Sequence, residues 1–217
     1  MTPRVERAPL PLHLQSRDRD ILKHLFTYRL LTSAQIQQLT PGSDQQLLRR
    51  LQKLTEHGYV IRHTRMTAHQ PYIYQLGRRA GEELTPYYGI EIERAHKRAK
   101  KISGAMVAHA MMIARFHVTL SLALRERSDT ELVDWVLEDE LPLRKVTYQD
   151  GIRVVDTSFK PDALFILKYR GAFLTCFFEA DRSTEASGVF VTKVKTYWHF
   201  LQQEREKMRR GEKARGP

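Results

Sequence analysis

The sequence predicts an α+β fold in two domains. Roughly the first 85 residues contain three short amphipathic helices followed by two short strands. The second half begins with a long apolar helix and continues with strands and a closing helix, and a chain of 217 residues is long enough for two cores. We expect an N-terminal arm (1–15), a first domain (16–86), a basic connector (87–102), a second domain (103–203) and a charged tail (204–217).

Positive charge is concentrated at the front of the chain. The whole sequence has 36 Lys and Arg against 25 Asp and Glu, a net charge of +11. Residues 1–100 contain 17 basic and 9 acidic side chains, whereas residues 101–200 contain 13 of each. Such an asymmetry is typical of a protein with a polyanionic partner, and it favours nucleic acid.

Cysteine content and hydropathy indicate the compartment. Cys176 is the only cysteine, which excludes a disulfide within the chain and a zinc site built from cysteines. Pro3, Pro9 and Pro11 interrupt a charged N-terminus, and no segment reaches about 18 uncharged apolar residues. We expect a cytoplasmic protein that does not span a membrane, with membrane-surface binding by the basic segments as an alternative.

The first two helices are predicted from capping residues and apolar spacing. Ser16 is a candidate N-cap for a helix that ends near Tyr28. Thr32 followed by Gln35 is a capping-box pattern for a second, shorter helix that ends at Pro41. The apolar faces consist of Ile21, Leu22, Leu25 and Phe26 in the first helix and Ile36 and Leu39 in the second.

A third helix is predicted from Ser43, its N-cap candidate, to His57, with Gly58 as the terminating glycine. Its buried stripe is expected to consist of Leu47, Leu48, Leu51 and Leu54. Strands are then predicted at residues 59–62 and 72–76, around a basic loop. The order of helix, helix, helix, strand, loop and strand resembles the winged helix-turn-helix.

That resemblance implies binding of double-stranded DNA, with the third helix in the major groove. Gln reads adenine and Arg reads guanine, so Gln45, Gln46 and Arg49 are the candidates for base contacts. The candidates for phosphate contacts are Arg50, Lys53, Arg62, Arg65 and His69. Such domains commonly pair on palindromic sites, so a homodimer is expected. The alternative is a solvated helix face in a domain that contacts proteins.

The second domain is predicted to begin with a largely buried helix over residues 103–125. A strand at 132–137 and a less regular stretch at 141–159 follow. Residues 163–169 and 172–178 flank Arg170-Gly171 and predict a hairpin whose strands are buried on both faces. A helix over 189–207 closes the domain.

Three carboxylates fall at the ends of these strands. Asp162 precedes one strand, and Glu179 and Asp181 follow the next, where the hairpin returns them alongside Asp162. Carboxylate oxygens are the ligands that Mg²⁺ and Mn²⁺ prefer. The sequence therefore predicts a metal site formed by Asp162, Glu179 and Asp181.

Pro161-Asp162 followed by Glu179-X-Asp181 resembles the PD-(D/E)XK nuclease motif. The departure is Asp181, which stands where that family normally has lysine, and the resemblance implies that Lys193 supplies the ammonium instead. It thus implies catalytic roles for Asp162, Glu179, Asp181 and Lys193, with Mg²⁺ or Mn²⁺ as cofactor.

Over nearly its full length, the chain resembles the replication-relaxation family of plasmid and mobile-element proteins. The residues that carry this resemblance are His109, Pro161, Asp162, Ala163, Glu179, Ala180, Asp181, Arg182, Ser183, Thr184, Lys193 and Tyr197. It implies a winged helix followed by a degenerate nuclease-like domain, and replication or relaxase proteins as candidate partners.

Two functions remain open from the sequence. The favoured one is a sequence-specific DNA-binding protein of a mobile element, acting in replication, relaxation or transcription control. The other is a metal-dependent endonuclease that is targeted by its winged helix. The acids also have a plain structural explanation, because strand-end carboxylates often cap turns or pair with a neighbour such as Arg182. His109 and Cys176 are more simply explained as core residues.

Overall fold

The computed structural model describes residues 12–64, 69–181 and 187–210. Helices and small antiparallel sheets make up the structure, which confirms the α+β class. The chain divides into two compact units, residues 1–122 and 123–217. The sequence placed this division earlier, at residues 102–103, and the difference comes from the long helix, whose inner face packs in the first unit.

The first unit combines helices with one antiparallel sheet in the order β1-β3-β2. The strands are short, and β3 lies between the other two. Its elements are α1 (Ser16–Tyr28), β1 (Leu30–Thr32), α2 (Ser33–Leu39), α3 (Asp44–Glu56), β2 (Val60–Arg62), β3 (Ile73–Leu76), α4 (Ala80–Tyr88), α5 (Ile92–Arg98) and α6 (Gly104–Leu124).

Side-chain caps fix where the first three helices begin. Thr32 and Gln35 form the predicted capping box of α2, and Ser43 Oγ accepts the backbone N–H of Gln46 at the start of α3, so both caps are confirmed. The cap of α1 is Gln15 instead of the predicted Ser16. The reason is Asp18, whose carboxylate accepts the Gln15 backbone N–H at 2.7 Å and so moves the helix start back by one residue.

The end of α3 is a Schellman motif. Gly58 has a φ of +74°, its N–H donates to the Thr55 carbonyl, and the Tyr59 N–H donates to the Leu54 carbonyl. Gly77 lies against this turn, since a Cβ on Gly77 would be 2.3 Å from the Gly58 carbonyl oxygen. Only glycine therefore fits at position 77, where β3 leaves the sheet beside the end of α3.

The core of the first unit joins α1, α2, α3, the sheet and α4. Leu51 and Leu54 of α3 are fully buried, as predicted for the stripe, but Leu48 is 47% exposed, so that part of the prediction is wrong. A helical stripe of four leucines is wider than the surface that α3 presents to its neighbours. The strand β1 was not predicted, because three residues are too short to show a period of two.

Residues 87–102 are part of the first unit and contain α5, where the sequence predicted a connector. Gln75, which is fully buried in β3, holds this segment in place. Its Nε2 donates to the carbonyls of Arg98 and Lys100, and its Oε1 accepts the Ile102 N–H and pairs with His63 Nε2. Four hydrogen-bonding partners inside the first unit thus satisfy the buried Gln75 amide.

The inner face of α6 packs on the core of the first unit, to which most of this helix belongs. Val118 lies in the main core, and Ala110 packs with Leu30 and Ile102. The His117 ring centroid is 4.4 Å from that of Tyr28, and burial lowers the His117 pKa to about 3, so this histidine is neutral. Among the residues that the structure describes, α6 is long enough and apolar enough to cross a membrane, judged by length and composition alone.

The second unit is built on two small antiparallel sheets. The first has the order β4-β7-β8, and the second pairs β5 with β6. Its elements are β4 (Thr130–Leu137), β5 (Arg144–Asp150), β6 (Arg153–Phe159), β7 (Ala163–Tyr169), β8 (Ala172–Phe178) and α7 (Ser187–Arg209), with a 3-10 turn (Glu138–Glu140) after β4.

The hairpin of β7 and β8 is confirmed at Arg170-Gly171. Both residues have positive φ, 48° and 85°, which is the signature of a type I′ turn. The prediction that both strands are buried on both faces is wrong for β8. This strand is an edge, and its Phe173 is 65% exposed, whereas β7 lies between β4 and β8.

Residues 144–159, within the stretch predicted to be less regular, form a second hairpin, β5 and β6. Only one face of this hairpin is apolar, with Val146, Tyr148 and Phe159 buried and polar side chains between them. α7 packs on that face through Phe200, which lies 5.1 Å from Phe159 between ring centroids. Val146 and Tyr148 alternate with polar residues, which is the period-two pattern of a half-buried strand, so the prediction of a less regular stretch is wrong here.

Candidate nucleic-acid interface

The outward face of α3 is polar and exposed. Gln45, Gln46, Arg49 and Lys53, which the sequence selected as candidate DNA contacts, all lie on it with exposed side chains. An open concavity of about 480 Å³ runs between this face and the start of α1. It is lined by Gln15, Arg17, Gln46, Arg49, Arg50, Gln52, Lys53 and Glu56.

Arg50 points inward, unlike its neighbours on α3. Its Nε donates to Asp18 Oδ1 at 2.9 Å, and its Nη2 donates to Asp18 Oδ2 and to the His13 carbonyl. The Asp18 side chain is fully buried, so this is a charge-assisted, two-point link between α1 and α3. The sequence predicted Arg50 as a phosphate contact, and the structure gives it a role in fixing α3 as well.

Arg17 is a candidate contact that the sequence did not suggest. Its guanidinium lies over the turn before α3, where a Cβ on Gly42 would be 2.8 Å from Arg17 Nη1. The side chain is half-buried, and its Nε and Nη2 are buried without a hydrogen-bond partner among the residues that the structure describes. The linear sequence gives no sign of this, because Arg17 reaches the surface beside α3 only through the packing of α1.

The loop between β2 and β3 carries the other predicted contacts. Arg62 is exposed and its guanidinium stacks over the Tyr72 ring at 4.7 Å, which holds it at the base of the loop. His69 is exposed at the far side. His63 is buried against Gln75, so its ring is part of the core. Arg65 lies outside the described residues.

In the second unit, Asp162 and Glu179 lie at the same end of the sheet. Ala163 pairs with Phe178, so the residue before β7 and the residue after β8 are neighbours across the ladder. Asp162 Oδ2 accepts the Ala180 N–H at 2.7 Å, and its carbonyl accepts the Glu138 N–H at 2.9 Å. The Asp162 side chain thus closes the end of the sheet.

Two side chains of α7 reach Glu179. Lys193 Nζ lies 3.4 Å from Glu179 Oε2, and the Tyr197 hydroxyl donates to Glu179 Oε1. Burial raises the pKa of Tyr197, and the hydrogen bond and the charges of Glu179 and Asp162 raise it further, so the phenol keeps its proton. Tyr197 stands four residues after Lys193, so both fall on one face of the helix, a spacing visible in the sequence.

The carboxylates match a metal site only in part. Both oxygens of Glu179 and Oδ2 of Asp162 accept hydrogen bonds, and the Asp181 side chain is exposed. Across residues 12–64, 69–181 and 187–210, no three His, Cys, Asp or Glu side chains are grouped as a metal site requires. As positioned, these residues form a hydrogen-bonded cluster of Asp162, Glu179, Lys193 and Tyr197, which we call the carboxylate cluster.

Comparison with known proteins identifies a family. The family described as replication-relaxation matches residues 22–214, which include α3, the carboxylate cluster and all of α7. No curated protein and no solved structure gives a significant match. Because the match spans nearly all of the sequence, the chain belongs to the replication-relaxation family, and the resemblance inferred from its residues is confirmed.

Proposed function

We propose that this chain is a sequence-specific double-stranded DNA-binding protein of a plasmid or other mobile element. The observation that carries the proposal is the exposed face of α3, where Gln45, Gln46, Arg49 and Lys53 lie side by side. These residue types hydrogen-bond base edges and phosphates. The excess of positive charge in residues 1–100 supports the same partner.

The order of elements in the first unit supports its assignment as a winged helix. The sequence of α1, β1, α2, α3, β2 and β3, with sheet order β1-β3-β2, leaves α3 as the recognition helix and the loop after β2 as the wing. The link from Arg50 to Asp18 fixes α3 to α1, so its outward side chains have a rigid support.

Within this assignment, contacts divide into two kinds. Gln45, Gln46 and Arg49 read bases, since they stand in the first half of α3, the end that enters the groove. Lys53 and Arg17 flank them and meet phosphates, as do Arg62 and His69 from the wing.

We expect Arg49→Ala to weaken binding to the preferred DNA by about 1 to 3 kcal/mol and to relax the preference at one base pair, because a bidentate contact to guanine is lost. The measurement is fluorescence anisotropy with the sequence that the native protein selects from a random library. Arg49→Ala binding as tightly as the native protein would contradict the placement of α3.

Lys53→Ala is expected to weaken binding to all sequences by a similar factor. A phosphate contact releases a counterion, so the slope of log K against log salt should become shallower by about 1. Titrations of selected and scrambled DNA at several salt concentrations give both quantities. Lys195→Ala is the matched control, since this exposed lysine lies on α7 and pairs with Asp150.

The second unit then serves partner contact. We propose that the protein acts in the cytoplasm, where DNA bound by the first unit brings replication or relaxase proteins to the element, or where it controls transcription there. In this account, the carboxylate cluster fixes α7 on the sheet, because Lys193 and Tyr197 of α7 both hold Glu179.

A metal-dependent endonuclease is the second candidate function. The approach of Lys193 to Glu179, beside Asp162, is the observation that favours it. Asp162, Glu179 and Asp181 would then hold Mg²⁺ or Mn²⁺, which would polarise a DNA phosphate. Glu179 would first have to release Tyr197 or Lys193, because both its oxygens are engaged.

Incubation of supercoiled plasmid carrying the selected sequence with Mg²⁺ or Mn²⁺ separates the two candidates. Nicking by the native protein that is lost in Asp162→Ala and in Glu179→Ala would establish the endonuclease. Intact plasmid with both cations would leave DNA binding as the function.

A further inference from the structure

The helix α7 has apolar side chains on two faces. One face packs on β5 and β6 through Phe200, which is buried, and Tyr197. The other is left half exposed by the rest of the described chain. This second face, which we call the α7 stripe, consists of Val191 (52% exposed), Val194 (51%), Trp198 (55%), Leu201 (50%) and Met208 (59%).

The spacing of the α7 stripe is that of a coiled-coil seam. Steps of three and four residues alternate from Val191 to Met208, with Arg205 completing the series between Leu201 and Met208. A seam of this period follows the surface of another helix over about two and a half heptads, whereas a flat sheet or a disordered peptide imposes no such period. The fitting partner is therefore a helix.

We propose that this partner is α7 of a second copy of the chain, packed antiparallel. Val191 then faces Met208 of the copy, Val194 faces the long side chain of Arg205, and Trp198 faces Leu201. The two valines thus each meet a long side chain, and the stripe is complementary to itself. A second copy needs no sequence other than the one already present.

Charge favours the antiparallel direction. The end of α7 has three basic residues, Arg205, Lys207 and Arg209, and Arg210 follows directly, against Glu204, which pairs with Lys207, and Glu206. The first part has only Lys193 and Lys195, each paired with a carboxylate of its own unit. Parallel packing would bring the two basic ends together and place Arg205 against Arg205, whereas antiparallel packing separates them and opposes the helix dipoles.

The area is also sufficient. Half-exposed side chains of these sizes, with the neighbouring Phe190 at 54%, offer on the order of 500 Å² per copy, or about 1,000 Å² for the pair, which reaches the lower limit for a specific interface. The dimer would carry two first units and so match a two-fold repeated site on DNA, but its formation does not depend on the proposed DNA binding.

Light scattering after size-exclusion chromatography tests the dimer in the absence of DNA. The native chain, of 25.4 kDa, is expected to show twice that mass at tens of micromolar. Trp198→Asp combined with Leu201→Asp should be monomeric, with a dissociation constant raised about 30-fold or more, since buried charges at a seam centre are costly. Ile152→Asp is the matched control, because Ile152 is apolar and 98% exposed but belongs to the turn between β5 and β6 and not to the α7 stripe.

A native chain that is monomeric would overturn the proposal. So would a double variant that stays dimeric while its far-ultraviolet circular dichroism equals that of the native chain. If the double variant loses helix, the single variant Leu201→Lys, which changes one half-exposed position, is measured instead. A Leu201→Lys chain that stays dimeric with native circular dichroism would likewise overturn the proposal.

Disulfide cross-linking tests the direction of packing. In a Cys176→Ser background, the chain carrying both Val191→Cys and Met208→Cys is expected to form covalent dimers on mild oxidation, whereas each single cysteine should not. Covalent dimers from each single cysteine would overturn the antiparallel arrangement, and none from the double variant would overturn the seam itself.

Discussion

Asp18→Asn is expected to lower the free energy of unfolding of the first unit by about 3 to 5 kcal/mol, the usual effect of leaving one partner of a buried ion pair without the other. Asp18 is fully buried, and its carboxylate accepts a hydrogen bond from Arg50 Nε at 2.9 Å. It also accepts the Gln15 backbone N–H and so holds the start of α1. Asparagine keeps the shape of aspartate but removes the charge that compensates Arg50. Urea unfolding followed by circular dichroism measures the change.

The control for Asp18 is Asp20→Asn on the same helix. Asp20 accepts an exposed hydrogen bond from Tyr88 in the part of the chain that the structure describes, so the loss should stay within about 1 kcal/mol. Equal effects of the two substitutions would contradict the role given to the link between Asp18 and Arg50. A double-variant cycle with Arg50→Ala should then show coupling well above that of an exposed pair.

Gly77→Ala is expected to cost about 3 kcal/mol or more, at the upper end of what overpacking costs. A methyl group at position 77 would lie 2.3 Å from the Gly58 carbonyl oxygen and 2.5 Å from the Tyr59 carbonyl carbon, and backbone atoms cannot move aside as a flexible side chain can. The strand β3 and the end of α3 would have to separate. Thermal unfolding of the purified variant measures the loss.

Gly104→Ala is the matched control for Gly77→Ala. A Cβ on Gly104 meets nothing within 4 Å, and Gly104 begins α6, so alanine there should be neutral or stabilise by up to about 1 kcal/mol. A Gly77→Ala protein as stable as Gly104→Ala would show that the backbones at Gly58 and Gly77 are not in close contact.

Local signals in the sequence were enough where a few adjacent residues determine the structure. Thr32 with Gln35, Ser43, Gly58 and the pair Arg170-Gly171 each specify a cap or turn through contacts within a few residues, and each prediction is confirmed. Features that depend on distant partners were not predictable. Leu48 looks like a core leucine, yet α3 presents it to solvent.

The candidate sites divide in the same way. The exposed face of α3 follows from helical spacing, so Gln45, Gln46 and Arg49 could be selected from the sequence. The burial of Asp18, which draws Arg50 inward, and the position of Arg17 beside α3 arise from the packing of α1. In the second unit, the proximity of Glu179 to Tyr197 depends on α7 folding back on β5 and β6, which period-two reasoning about the strands does not contain.

Selection of bound DNA from a random library tests most directly the claim that α3 reads the sequence. The native protein is expected to enrich one defined motif, and Arg49→Gln should change the preferred base at one position of that motif while the rest is kept, because glutamine reads adenine where arginine reads guanine. If the native protein enriches no motif, or if Arg49→Gln selects the same motif as the native protein, the claim that α3 reads the DNA sequence is contradicted.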